Sequence, residues 1–206
     1  MVPYFRAVKS AETQSAQPAW KVQERIIRYE DDHLCVVSET VRTPMAERKW
    51  TTVHRKQAVV VAAMTADERL ILIRQERIPI RALIWEMPAG QVDEENPARA
   101  EIEATALREL EEETGYRLRA NSQLIDLGTF FASPGFTDEQ QHLFLARPVE
   151  PTGQKDEGEA IADCRAFRVA EIRQMIADNE IRDANTLACF ARLVAMGLLS
   201  LGSKDR

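Results

Sequence analysis

Residues 104–116, read as ATALRELEEETGY, constrain this chain more tightly than any other stretch. The run up to Gly115 is read as a helix from its periodicity. Stepping 100° per residue, Leu107, Leu110 and Thr114 share one face with Ala100 and Ala104 beside them, while Glu109, Glu112 and Glu113 gather on the other. The spacing predicts a helix that packs through the leucine face, with Gly115 as its terminating C′ glycine.

Two readings of the acidic face are open. A solvated face explains the first half, where Arg99 can pair with Glu103 and Arg108 with Glu112 at i,i+4 spacing. It explains the second half poorly, because Glu109, Glu111, Glu112 and Glu113 crowd a helix C-terminus that already carries partial negative charge. Carboxylates about 5 Å apart repel by roughly 3 kcal/mol at an effective dielectric near 20. A divalent cation turns that repulsion into attraction, and hard carboxylate oxygens suit Mg²⁺ or Mn²⁺.

Gly90 followed by Arg108-Glu109-Leu110-Glu111-Glu112-Glu113-Thr114-Gly115-Tyr116 resembles the Nudix box, G-x5-E-x7-R-E-U-x-E-E-x-G-U with U a bulky apolar residue. The second half matches at every specified position. The first half departs: eighteen steps separate Gly90 from Arg108 where the family has fourteen, and Asn96 stands where the family has a glutamate. An insertion of four residues adds close to one helical turn and leaves the downstream glutamates unrotated. Asn96-Pro97 is expected to start the helix, as N-cap and N1. Either Glu94, Glu95, Glu101 or Glu103 replaces the missing carboxylate, or nothing does.

The rest of the chain sets limits. At 206 residues and 45% apolar content it can fill one domain with a small appendage. A net charge of −6 without a basic run argues against a nucleic-acid partner. Cys35, Cys164 and Cys189 have neither disulfide-framework nor zinc spacing, which fits a reducing compartment. With no signal-like or membrane-length apolar run, a cytoplasmic location is expected.

Residues 1–18 read as a loosely held arm. Residues 20–29, 33–40 and 48–54 read as strands of a small antiparallel β unit, assigned to residues 19–55. Strands are expected at residues 57–64, 69–76, 83–87, 124–131, 142–146 and 162–169, with residues 88–90 a loop leading to the box helix. Two helices close the chain near residues 170–179 and 183–199, the second with an apolar stripe through Leu187, Phe190, Leu193 and Val194. The main domain is assigned to residues 56–200 and a tail to 201–206. The order fits a mixed sheet between helices, and the family resemblance implies an α/β/α sandwich preceded by the small β unit.

Ile73-Arg74-Gln75-Glu76-Arg77, Trp85-Glu86-Met87-Pro88-Ala89-Gly90 and Ser133-Pro134-Gly135-Phe136-Thr137-Asp138-Glu139 resemble the ADP-ribose pyrophosphatase branch, which also cleaves other nucleotide sugars. The resemblance implies Mg²⁺, with Mn²⁺ an alternative, held by Glu109, Glu112, Glu113 and the Ala89 carbonyl and oriented by Arg108. It implies a general base on the 155–161 loop, Glu159 first and Glu157 second, with Glu159 also able to serve as a metal ligand. It implies substrate contacts from Arg77, Glu86 and Pro134, with an ion pair to Glu76 or Glu86 as the plain alternative for Arg77. Trp20 and Trp50 resemble tryptophans that sandwich the base, one of them contributed by the partner of a domain-swapped homodimer. The implied reaction is hydrolysis of ADP-ribose to AMP and ribose 5-phosphate. The alternatives are a preference for a GDP- or UDP-sugar and a non-catalytic nucleotide-sugar sensor.

Overall fold

The structure is a computed structural model that describes residues 20–94, 96–153 and 160–199. The expected arm, the tail, Glu95, Glu157 and Glu159 lie outside the described residues. The first strands, β1 (Lys21–Glu30), β2 (Leu34–Arg42) and β3 (Glu47–Arg55), form an antiparallel sheet in that order. Asp31 closes the first turn, its Oδ1 accepting the backbone N–H groups of His33 and Leu34, and Thr43 closes the second by accepting the N–H of Ala46. Val37 and Val41 are the buried apolar residues of β2, whereas β1 is exposed along its length.

A second, seven-stranded sheet is built from β4 (Ala58–Thr65), β5 (Arg69–Arg77), β6 (Ala82–Glu86), β7 (Ala89–Gln91), β8 (Tyr116–Phe131), β9 (Gln140–Pro151) and β10 (Ile161–Arg168). Its order is β10-β5-β4-β9-β8, with β6 beside β5 and β7 beside β4. The β4–β9 pairing is parallel and the others are antiparallel, so the sheet is mixed. β4 is buried at every residue before Thr65, which requires cover on both faces.

That cover comes from three helices, α1 (Arg99–Thr114), α2 (Val169–Ala177) and α3 (Ala184–Ala195). On one face Val59, Val61, Ala63 and Phe144 meet Ile102, Ala106 and Leu110 of α1. On the other, Val60, Ala62, Leu70, Leu72 and Leu143 meet Ile172 of α2 and Phe190 and Leu193 of α3. Each large aliphatic side chain so buried contributes about 1.5–3 kcal/mol. The period-two alternation of β4 thus feeds both layers of an α/β/α sandwich.

Three expectations are corrected. α1 packs through Ile102, Thr105, Ala106, Leu110 and Thr114 rather than through Leu107, Ala100 and Ala104, which are exposed. The helix is therefore turned by roughly a quarter of a circle, and Glu109 and Glu113 lie in the middle of its buried arc. Its start is not at Asn96: Ala98 is the N-cap, its N–H donating 2.6 Å to Glu101 Oε2. The segment after Pro88 is not simply a loop, since Ala89–Gln91 pairs with β4. The C-terminus is as expected, with Gly115 at φ 69° and its N–H on the Glu111 carbonyl.

Candidate active site

The quarter turn of α1 has a local cause in β7. A Cβ built on Gly90 would stand 2.0 Å from Cδ of Glu109, so the missing side chain makes the room that the carboxylate fills. Next to it the Ala89 N–H donates 2.8 Å to Glu113 Oε2. Glu109 is 8% exposed and Glu113 3%. Carboxylates this deep need partners, and the sequence supplies them from a turn that follows proline and carries no bulk.

Arg108 ties the remaining carboxylate in. Its guanidinium reaches Glu109 Oε1 at 2.6 Å and Glu112 Oε2 at 2.5 Å. Burial alone would lower the Arg108 pKa, but Glu109 and Glu112 more than reverse this and hold it above the ordinary arginine value. Arg108 thus bridges two carboxylates with one positive charge while a third stands on the Ala89 N–H. Among the described residues no three His, Cys, Asp or Glu side chains are already grouped as a cation cage. The donor set nevertheless suits a hard divalent cation: two nearly buried carboxylates, a third half-exposed beside them, and more negative than positive charge in the group.

Three of the four candidates for the missing box carboxylate are occupied or turned outward, and Glu95 lies outside the described residues. Glu101 caps α1, Glu103 pairs with Arg99 at 2.6 Å, and Glu94 is exposed.

Arg77 and Glu86 sit at opposite ends of the β5–β6 pair, Arg77 opposite Ala82 and Glu86 opposite Ile73, and their side chains meet. Arg77 Nε donates to both Glu86 oxygens at 2.9 and 3.1 Å, and a terminal nitrogen reaches Oε2 as well. Hydrogen bonds to Glu86 raise the Arg77 pKa against burial, and Asp183 and Glu113 add to the rise. Burial pushes the Glu86 carboxyl up, with Arg77 pulling it down. The rise on Glu86 disfavours its charge and that on Arg77 favours it, and the two-pronged contact at hydrogen-bond length decides for an ionised pair. Because Glu113 contributes to the field at Arg77, this pair and the carboxylate group share one electrostatic neighbourhood.

A separate cavity of about 540 Å³ is lined by Trp20, Trp50, Phe131, Pro134, Phe136 and Asp138, among others. Trp20 and Trp50 thus face one cavity within a single chain. The 133–139 loop is fastened to β3: Val53 N–H donates 2.8 Å to the Phe136 carbonyl, and Asp138 meets His54 Nδ1 at 2.6 Å and the Arg55 N–H at 3.1 Å. Among the described residues that line it, Glu109, Glu112 and Glu113 are not found.

Sequence reasoning missed Phe131, Phe136, Asp138 and His54. An aromatic residue inside the SPGFTDE motif was the signal available for Phe136. Asp183, whose charge reaches Arg77 and Glu86, carried no such signal.

A family model described as NUDIX domain matches residues 54–190. An ADP-ribose pyrophosphatase of Bacillus subtilis is 36% identical over 132 residues, 63% of this chain and 67% of that protein. A methanol dehydrogenase activator of Bacillus methanolicus is 36% identical over 138 residues, 66% and 70% of the two chains. A GDP-mannose pyrophosphatase of Klebsiella pneumoniae is 31% identical over 160 residues, 72% and 75%. Among solved structures, one described as an ADP compounds hydrolase superposes with a TM-score of 0.71 over 87% of this chain and 97% of that one, at 19% identity, a likeness of fold.

Proposed function

The chain belongs to the Nudix hydrolases, and we propose that its reaction is hydrolysis of the pyrophosphate bond of ADP-ribose to AMP and ribose 5-phosphate. The observation that carries this reading is the seating of Glu109 against Gly90 beside Glu113 on the Ala89 N–H, a buried acidic pair set by backbone geometry.

Glu109, Glu112 and Glu113 hold Mg²⁺ in this reading, with Mn²⁺ able to replace it and the Ala89 carbonyl as a further ligand. When bound, the cation supplies Lewis-acid polarisation of the diphosphate and acidifies water. Arg108 keeps Glu109 and Glu112 together and orients their oxygens. Arg77, held flat by Glu86, offers its guanidinium to a substrate phosphate or base. Glu159 takes the proton from the attacking water, with Glu157 second in line. This role comes from the sequence resemblance of the 155–161 loop. One P–O bond forms to the water oxygen as the bridging P–O bond breaks, and the departing phosphate leaves as the second product.

Trp20 and Trp50 stack on the two faces of the base, and Pro134 closes the cavity beside them. The single-chain cavity that both tryptophans line supports this. A second copy of the chain covers β1, whose Val22, Ile27 and Tyr29 are otherwise exposed. Among the described residues no helix is long and apolar enough to cross a membrane. We place the reaction in the cytoplasm.

A GDP- or UDP-sugar is the second reading, supported by the GDP-mannose pyrophosphatase relative and by stacking that accepts any base. Incubating the protein with ADP-ribose and a panel of nucleoside diphosphate sugars, with Mg²⁺ or with EDTA, and separating the products by chromatography ranks these substrates. AMP formation from ADP-ribose that EDTA abolishes is the expected result. Substrates left intact under all conditions would leave a binding protein in place of an enzyme.

A further inference from the structure

The turn that carries Ala89 and Gly90 is held from the face opposite α1. Met87 N–H donates 2.9 Å to Thr186 Oγ1, a bond joining residues 99 apart. The Thr186 hydroxyl donates in turn to Asp183 Oδ2 at 2.7 Å, and the same carboxylate oxygen accepts the Thr186 N–H at 2.7 Å as the N-cap of α3. A hydroxyl has one proton and two lone pairs, so with its proton on Asp183 it is left as the acceptor for Met87. Thr186 is fully buried, and the backbone N–H it receives has no water to turn to.

Helix formation does not ask for this hydroxyl. The Asp183 cap needs only the Thr186 N–H, and a β-branched residue costs a few tenths of a kcal/mol against alanine in a helix. The side chain makes sense through what it holds. Met87 is fastened by α3, the Pro88 carbonyl accepts the Val61 N–H of β4 at 2.9 Å, and the Ala89 N–H reaches Glu113 of α1 at 2.8 Å. Three consecutive residues are thus anchored to three different elements, and Gly90 follows directly.

We propose that Thr186 is a positioning residue for the carboxylate site: by fixing Met87 from α3, it sets where Ala89 meets Glu113 and where Gly90 admits Glu109. The inference rests on the metal-binding reading of those carboxylates. Thr186→Val keeps the shape and removes both hydrogen bonds of the hydroxyl, and Thr186→Ser restores them.

The full-length chain and both variants are titrated with Mn²⁺ and followed by electron paramagnetic resonance, alongside kcat and KM for ADP-ribose. Thr186→Val should weaken Mn²⁺ binding about tenfold, the scale on which groups behind the ligands act. It should lower kcat while KM stays within about twofold, and Thr186→Ser should bind Mn²⁺ within about twofold of wild type. If Thr186→Val does not fold, Thr186→Ala takes its place, removing the same hydroxyl while the Asp183 cap and its charge stay, with the same expectation. Mn²⁺ affinity in the folded variant equal to wild type overturns the positioning role. A wild-type chain that takes up no Mn²⁺ sinks the metal reading itself, and the positioning role with it.

Discussion

Glu109 occupies the volume that a side chain on Gly90 would need, its Cδ 2.0 Å and its Oε1 2.2 Å from the place of the missing Cβ. The obstacle is the end of a flexible side chain and not backbone. Gly90→Ala should therefore leave the fold standing and displace the carboxylate. Activity toward ADP-ribose is expected to fall about 10- to 100-fold, as when a metal ligand is mis-set, while the thermal midpoint drops only slightly. Steady-state kinetics and a melting curve on the same preparation check this, and full activity in the variant would detach Glu109 from the chemistry.

Arg77→Ala leaves the Glu86 carboxylate, 3% exposed, without its guanidinium. The stability cost is expected at about 1–3 kcal/mol in urea unfolding, with a raised KM for ADP-ribose. Arg77→Lys should recover only part of both, since an ammonium cannot span two oxygens as a planar fork does. Lysine restoring both in full would reduce Arg77 to a simple point charge.

Trp50→Ala should raise KM for ADP-ribose about 5- to 100-fold, the range in which loss of base stacking falls. Trp20→Ala is expected to act in the same direction, because both rings face one cavity. An unchanged KM removes the ring concerned from substrate binding.

Glu159→Gln is expected to lower kcat about 100-fold with little change in KM, as general-base removal does. A loss of less than about threefold retires the assignment and directs the same test to Glu157.

Burial lowers the His142 pKa below the ordinary histidine value, with Asp126 opposing it and Arg99 adding to it. Its Nε2 stands 2.6 Å from Gln57 Oε1, which a neutral ring satisfies by donating. Below the unfolded histidine pKa of about 6.5 the unfolded chain binds a proton that the folded chain resists, so stability falls as pH drops from there toward the lowered folded value. His142→Gln should lose less stability than wild type between pH 7.5 and pH 5.5 in urea unfolding. Equal losses would show that another group carries the acid sensitivity.

The helix and its end were legible because they are local: helix formers run to Gly115, and a left-handed residue is where glycine belongs. The sandwich was legible from the strand and helix order together with the box. The orientation of α1 was not, since apolar periodicity assigns charges to solvent, whereas Glu109 and Glu113 face β7 in the buried arc. Asn96-Pro97 has the chemistry of a helix start, but Glu101 supplies an equivalent cap two residues later. Thr186 could not be found by pattern, because its partner lies 99 residues away on a strand end. Nor could spacing tell whether Trp20 and Trp50 meet within one chain or across two, a question of how the small sheet is laid against the 133–139 loop.

That attachment divides the molecule's labour. The rings come from a sheet hinged on Val53, His54 and Arg55, while the acids come from a helix seated on other strands. A shift in the small sheet would widen or narrow the aromatic slot without moving a carboxylate. On the proposed assignment of the tryptophans to the base, descendants of this chain could change which nucleoside they accept through residues that never touch the bond being broken.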